Sequence, residues 1–364
     1  MALVEAGAKQ VDTVHLNHVP LMDDVVAPMH PSFRQWKRNG ETPLVVNVST
    51  RNICEIPSQL AEGFLRYTDW SYWAVATWVS SWLHERMWWQ VDYEDPDRRE
   101  QQILRDLLRQ ADYIHLNGYH TWDFLRDMRE ELTGKRMVIH HHGCELRDDP
   151  MKHRCEADAG YMRVVSTPDL LLSDYGLHWL PSPVPIVEIE RNYPRWTKHP
   201  GEPCVIGHAY TVKENKGSDT IEVFVERARQ RAAIWYMPWH GVQRRQSIWL
   251  LSQCDVFFST MFFGPGLASY EAMAMGIPVV LSCTEAEYEK QCECYGGETP
   301  FWRVTYEDAE DVLVELAKNP TLRAERGARG KEIMRAYHDL PAVVERMKGY
   351  YEEAQPCRTV LFHE

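Results

Sequence analysis

The sequence has no apolar run approaching the roughly 18 to 20 residues that a membrane-spanning helix needs, which excludes a helical membrane span. Its opening residues, MALVEAGAKQVDTVHLNH, lack a basic segment followed by an apolar one, so no secretory leader is predicted. A disulfide framework is also missing. The nine cysteines (Cys54, Cys144, Cys155, Cys204, Cys254, Cys283, Cys292, Cys294 and Cys357) are odd in number and irregularly spaced, which predicts reduced thiols in a cytoplasmic setting. Cys283, Cys292 and Cys294 lack the paired CxxC knuckles of a structural zinc site, and no metal is predicted there. Positive charge is scarce: 40 Lys and Arg face 53 Asp and Glu, for a net charge of −13. Such a molecule repels nucleic acid and anionic membranes at long range, so any affinity for phosphate has to be built locally. Internal repeats and low-complexity tracts are absent.

What is present is the balance of a folded globular protein, with 44% hydrophobic and 26% charged residues. A length of 364 residues exceeds one ordinary α/β core and suits two. The aromatic cluster of Trp70, Trp73, Trp78, Trp82, Trp88 and Trp89 reads more readily as core than as a platform for stacking sugars or bases.

From about residue 43, short apolar runs alternate with segments of helical period, the pattern of parallel strands joined by crossover helices. Strands are predicted at 43–48, 73–79, 113–116, 137–141 and 163–166, with helices at 56–66, 96–110 and 121–133. A second series restarts at Cys204: CVIGHAY reads as a strand and KGSDTIEVFVERARQ as a helix, followed by helix 246–253, strand 256–259, a helix from about Ser269 and strand 278–282. The C-terminal stretch 320–351 is mostly helical. The proline-rich segment LPSPVPIVEIERNYPRWTKHPGEP between the two series suits an interdomain connection. The predicted organisation is an extension over 1–40, a first domain over 41–200 and a second over 201–364, with C-terminal helices packing back on the first domain.

Three segments carry chemistry. In GPGLASYEAMAMGIPVV, Gly264 and Gly266 let the backbone turn tightly before a helix whose free N–H groups and dipole favour an anion. Glu271 falls on the first turns of that helix, where a carboxylate can accept two ribose hydroxyls. In GHAYTVKENKGSDT, Lys216 and Gly217 stand between a strand and a helix, at the carboxyl end of the sheet where ligands of open α/β folds bind. In MVIHHHGCELR, successive strand residues alternate faces, so His140 and His142 share one side and His141 takes the other. Three such histidines cannot all ligate one metal from a regular strand, and His142, at the strand end, is predicted to reach into a cleft, with a zinc site as the lesser alternative.

These segments resemble the retaining GT-B glycosyltransferases, over about residues 43 to 345. The block around Glu271 is similar to the family's glycine turn followed by Glu-Ala-Met-Ala and Gly-x-Pro-Val-Val, and GHAYTVKENKG is similar to its donor-phosphate loop. HLNGY, HHHGCELR, VVSTPDLL and WLPSPV resemble the first domain and linker of bacterial and viral members. The resemblance implies an α/β GT-B fold, two Rossmann-like domains facing a central cleft, in bacterial or virus-infected host cytoplasm. It implies transfer of a sugar from a UDP- or GDP-linked donor to an acceptor hydroxyl without a metal ion. Lys216 and His208 would contact the donor diphosphate, Glu271 the ribose, the backbone at Gly264, Gly266, Leu267 and Ala268 the phosphates or sugar, and His142 the transferring sugar. The acceptor stays open among saccharide, lipid, protein and modified DNA base. Other readings of the same architecture are a sugar-nucleotide epimerase, a phosphorylase and a non-catalytic nucleotide-sugar binder. The chain departs from the family pattern at Phe263, where a glutamate is frequent, and at His208, where an arginine is frequent. Lys213, Arg244 and Arg245 are the candidates to compensate.

Overall fold

A computed structural model describes residues 42–49, 55–76, 89–90, 99–118, 126–143, 146–147, 152–173, 175–199, 201–262 and 264–361. The N-terminal extension, Phe263, and Trp78, Trp82 and Trp88 lie outside the described residues.

Seven strands form the first sheet: β1 (Leu44–Ser49), β2 (Ser71–Ala76), β3 (Trp89–Gln90), β4 (Tyr113–Asn117), β5 (Arg136–His141), β6 (Met162–Val165) and β7 (His178–Trp179). All neighbours are parallel, in the order β3-β2-β1-β4-β5-β6-β7. The second sheet contains β8 (Cys204–Ala209), β9 (Ile234–Trp239), β10 (Val256–Phe258), β11 (Val279–Ser282) and β12 (Trp302–Val304), again parallel, in the order β12-β11-β10-β8-β9. Parallel strands covered by helices on both faces are buried throughout, so β1 and β11 read as near-continuous apolar runs rather than as alternating ones. In each sheet the strand order reverses once, between β1 and β4 and between β8 and β10. Loops leaving the carboxyl ends of such a pair diverge and open a crevice.

The predicted strands and helices coincide with observed ones to within a few residues wherever they are described. Only 126–133 of the predicted helix 121–133 is described, as a 3-10 turn, Arg126–Met128, and a short helix, Arg129–Leu132, that ends at Thr133. The proline-rich connection is more ordered than its composition suggests. β7 lies immediately before it, and it contains the helix Ile186–Asn192, whose Ile186 and Ile189 are buried in the core around Tyr270 and Met273. Pro185 stands at the cap, just before the first turn, where its missing N–H takes no hydrogen bond from that helix. Trp70 is buried and stacks on Tyr113 with ring centroids 5.3 Å apart, and Trp73 packs against the core of the first sheet; both serve as packing.

The last helix, Leu340–Glu353, returns to the first sheet. It inserts Val343, Val344, Met347 and Tyr351 among Ile56, Leu60, Phe64, Tyr72 and Tyr113. A tail with Cys357 and Val360 then joins the core on the opposite face. The preceding helix, Pro320–Tyr337, lies so close to the turn before β11 that a Cβ on Gly327 would overlap the Gly276 carbonyl oxygen. Because that obstacle is backbone, Gly327→Ala is expected to cost about 1 to 3 kcal/mol and to lower the thermal midpoint by several degrees. An unchanged midpoint in a differential scanning fluorimetry comparison would contradict this packing.

Candidate functional site

The site begins with two loops on neighbouring strands. After β8 the chain makes a short helix, Lys213–Lys216, then turns through Gly217 at φ 65° into helix Ser218–Arg229. After β10 it runs through Thr260 and Met261 to Gly264 and Gly266, and Gly266 caps helix Leu267–Ala274. The loops are stitched together: the Met261 N–H donates to the Lys216 carbonyl at 2.9 Å. A Cβ on Gly217 would lie 2.8 Å from Met261 Cβ, in a left-handed conformation that L side chains rarely adopt. This closeness carries the Lys216 side chain over the second loop, where its Nζ lies 3.3 Å from the position a Cβ on Gly266 would take. Gly264, Gly266, Leu267 and Ala268 are half-buried, as is Lys216. The first N–H groups of a helix have no carbonyl within it to bond. One ammonium and one helix start therefore face the same spot at the β8–β10 reversal, which suits an anion.

His208 does not belong to that face. It is fully buried; Nδ1 meets the Phe258 carbonyl oxygen at 2.8 Å and Nε2 the Ser218 hydroxyl at 2.8 Å. With both nitrogens engaged inside the domain, neither is left for a phosphate, and burial lowers the ring's pKa to about 4, so it carries no charge at neutral pH. Its role is to tie β8 and the helix Ser218–Arg229 to β10. Lys213 points outward into ion pairs with Asp219 and Glu222, and the Arg245 guanidinium donates to the Gln243 side chain.

Glu271 lies on helix Leu267–Ala274 and is 2% exposed. It is engaged by Arg244, whose Nε donates to Glu271 Oε1 at 2.6 Å while Nη1 pairs with Glu55 Oε2. Glu55 belongs to the first half of the chain, immediately before helix Ile56–Tyr67, and is the only non-glycine residue with positive φ among the described residues. Arg244 thus joins the two halves through a carboxylate on each. Burial opposes its charge, but the two carboxylates more than offset this and hold its pKa above the ordinary arginine range. Burial raises the Glu271 pKa against the pull of Arg244.

His142 sits at the end of β5, half-buried, with Nδ1 3.1 Å from Ser166 Oγ and Nε2 3.0 Å from Asn117 Oδ1. Ser166 Oγ also meets His140 Nε2 at 2.8 Å, and the His140 and His142 rings lie 4.3 Å apart. The opposite face of the strand carries His141, which pairs with buried Glu156 at 2.9 Å. This is the alternation the strand dictates. Deeper in the sheet, His115 Nδ1 meets Tyr351 Oη at 2.6 Å. Burial, aided by the charge on neighbouring histidines, lowers the pKa of His142 and of His115 to about 3. His142 is therefore a neutral hydrogen-bonding group, not an acid, at physiological pH. Among the described residues no group of three or more His, Cys, Asp or Glu is placed to hold a metal ion. An open cavity of about 470 Å³ lies along helix Glu285–Cys294, lined by Glu285, Tyr288 and Cys292, and includes none of the residues above.

Sequence reading assembled Lys216, Gly266 and Glu271 but assigned neither Glu55 nor the pairing of Arg244. The pair spans 189 residues of sequence, and no local pattern announces it.

The architecture is that of the GT-B fold. The chain is similar in structure to a glycosyltransferase from Rickettsia africae ESF-5, with TM-score 0.60 and 10% identity over 86% of this chain and 98% of that one. It is likewise similar to an α-glucosyltransferase solved with UDP and a 13-mer DNA containing an HMU base, with TM-score 0.62 and 10% identity over 85% of this chain and 100% of that one. A third similar structure is Anabaena HepE in complex with UDP and glucose, with TM-score 0.61 and 10% identity over 85% and 100% of the two chains. No family model and no curated protein matches the sequence.

Two outcomes follow from the site's electrostatics. Arg244→Ala leaves two buried carboxylates without their cation and is expected to destabilise the protein by about 3 to 5 kcal/mol. Adding Glu271→Gln should recover part of that loss, as measured by urea unfolding at pH 7. The histidines titrate near 6.5 in the unfolded chain but near 3 for His115 and His142 in the fold, so the unfolded state binds more protons below 6.5. Stability is fully present above pH 6.5 and falls as the pH drops towards 3. A urea midpoint equal at pH 7.5 and pH 5 would refute the assignment of buried neutral histidines.

Proposed function

We propose that the chain is a glycosyltransferase that moves a sugar from a nucleotide-diphosphate donor, UDP- or GDP-linked, to an acceptor hydroxyl. The observation that carries this reading is the convergence of Lys216 Nζ on Gly266 at the start of helix Leu267–Ala274, in a crevice formed by a strand-order reversal. The GT-B architecture agrees with it, and similar structures are described in complex with UDP.

In the proposed step, an acceptor oxygen forms a bond to the anomeric carbon as that carbon's bond to the β-phosphate oxygen breaks. The bonding electrons leave with the diphosphate. Lys216 and the helix N–H groups stabilise that growing charge; they are already oriented, so no reorganisation is needed when it appears. Retention follows if the acceptor attacks from the face the phosphate leaves, with the acceptor proton passing to the departing phosphate oxygen. Glu271 serves the ribose only if it exchanges its hydrogen bond with Arg244 for the ribose hydroxyls, leaving Arg244 on Glu55. His142, neutral and at the end of β5, serves the sugar only if it gives up its hydrogen bond to Asn117 Oδ1 or to Ser166 Oγ. The seven described cysteines, Cys155 to Cys357, are all free thiols, which suits a reducing, cytoplasmic compartment. No helix among the described residues is long and apolar enough to cross a membrane.

A modified DNA base is the second acceptor reading, carried by the similar α-glucosyltransferase with bound DNA. The net charge of −13 weighs against it and favours a neutral acceptor.

Lys216→Ala is expected to lower acceptor-dependent release of free nucleotide roughly 100-fold or more, the usual effect of deleting one preorganised electrostatic group, with little change in thermal midpoint. Turnover equal to that of the unsubstituted protein would end the proposal for Lys216.

A further inference from the structure

The glycine turn has a second polar neighbourhood that the phosphate-binding reading leaves unused. A Cβ on Gly264 would lie 3.4 Å from Gln291 Nε2 and 3.8 Å from Asp169 Oδ1. Gln291 projects from helix Glu285–Cys294 and is completely buried, yet neither its Nε2 nor its Oε1 has a hydrogen-bond partner. Asp169 comes from the other half of the chain, in the 3-10 turn Pro168–Leu172, and is 8% exposed. Its Oδ2 accepts from the Arg147 guanidinium, with Nε at 3.2 Å, while its Oδ1 has no partner. Arg147 in turn lies against Gly143, beside His142: a Cβ on Gly143 would stand 2.6 Å from its Nη1. Three buried polar atoms with unmet hydrogen-bonding capacity therefore cluster where the two halves meet. Leaving them so is costly, and buried polar groups are otherwise almost always satisfied.

The chemistry of the cluster selects its ligand. The amide supplies both a donor and an acceptor, whichever way it is flipped, and the carboxylate supplies a further acceptor. Each hydroxyl of a sugar ring donates once and also accepts, so adjacent hydroxyls match this set. A phosphate does not match, because it brings no donor to Asp169 and is repelled by it. A metal ion leaves the amide NH2 unused. Arg147 already neutralises Asp169, so the subsite calls for a neutral ligand. Gly264 also precedes Gly266 by two residues, at most about 7 Å of chain, which places the cluster one sugar ring away from the group held by Lys216.

We propose that Gln291 and Asp169 form the subsite that reads the hydroxyls of the transferred sugar and so set donor specificity. This rests on the glycosyltransferase reading and assigns the sugar end of the same donor site. The test uses the full chain and measures dissociation constants by calorimetry for UDP, UDP-glucose, UDP-N-acetylglucosamine, GDP and GDP-mannose, with no acceptor present. The unsubstituted protein should bind one nucleotide sugar roughly tenfold or more tighter than its parent nucleotide, as expected of a site built to hydrogen-bond hydroxyls. Gln291→Leu should reduce that preference to within about twofold while leaving the affinity for the nucleotide alone unchanged, and Asp169→Asn should reduce it in part. The ligand-free Gln291→Leu protein should melt at the same temperature as the original or higher, because an apolar side chain of similar size removes two unmet polar atoms. A sugar preference that survives in both variants overturns the proposal, as does a clear fall in the melting temperature of ligand-free Gln291→Leu, which would assign the amide a structural partner. Binding of a nucleotide without any gain from its sugar also overturns it while leaving the glycosyltransferase reading intact. Failure of the unsubstituted protein to bind any of these nucleotides overturns that reading instead.

Discussion

The site depends on how closely two loops can approach at the carboxyl ends of β8 and β10. These strands are neighbours, but the chain leaves them in opposite directions across the sheet, so backbone rather than side chains has to fill the gap. Gly217 and Gly266 make this geometrically feasible. Gly217 accepts a positive φ hard against Met261, and Gly266 leaves room for the Lys216 ammonium where any side chain would stand. The hydrogen bond from Met261 N–H to the Lys216 carbonyl then fixes the two loops relative to each other. His208, buried between β8, β10 and the following helix, makes the same connection one layer down. Its neutrality is part of that function, since a charged ring there would have to be desolvated.

The second organising element is the charge sequence Glu55, Arg244, Glu271. A guanidinium between two carboxylates is costly to desolvate and is weak evidence of net stability, but breaking it exposes the full cost of an unpaired buried charge. It is therefore better suited to fixing an arrangement than to strengthening it. One carboxylate belongs to each half of the chain, so Arg244 ties the two halves together. A ligand that takes Glu271 leaves Arg244 with Glu55 alone. The unusual backbone of Glu55, in the left-handed region without being glycine, is consistent with a residue held in position by its surroundings.

The first half of the chain contributes a continuous polar seam. From His115 and Tyr351 through Tyr72, Asn47 and Asn117 to His142, hydrogen bonds run from the core to the end of β5. Tyr351 comes from the last helix, so the integrity of this seam requires that helix to pack back on the first sheet. The seam stops at Gly143, against which Arg147 lies on its way to Asp169.

By itself the sequence determined the two series of alternating strands and helices, because buried parallel strands and amphipathic crossovers have distinct local periods. It also determined the glycine turn and the Lys-Gly pair, because the demand for a tight turn before a helix falls on neighbouring residues. The side chosen by each histidine of β5 was equally legible, since alternation along a strand is local. Tertiary structure alone decided which charged groups meet. Glu55 and Arg244 are 189 residues apart, and Asp169 and Gln291 reach Gly264 from different elements, so no window of sequence contains their pairing. It likewise turned His208 from an expected ligand contact into a buried clamp, because the direction of a side chain beyond a strand's end depends on which neighbouring strand and helix cover it.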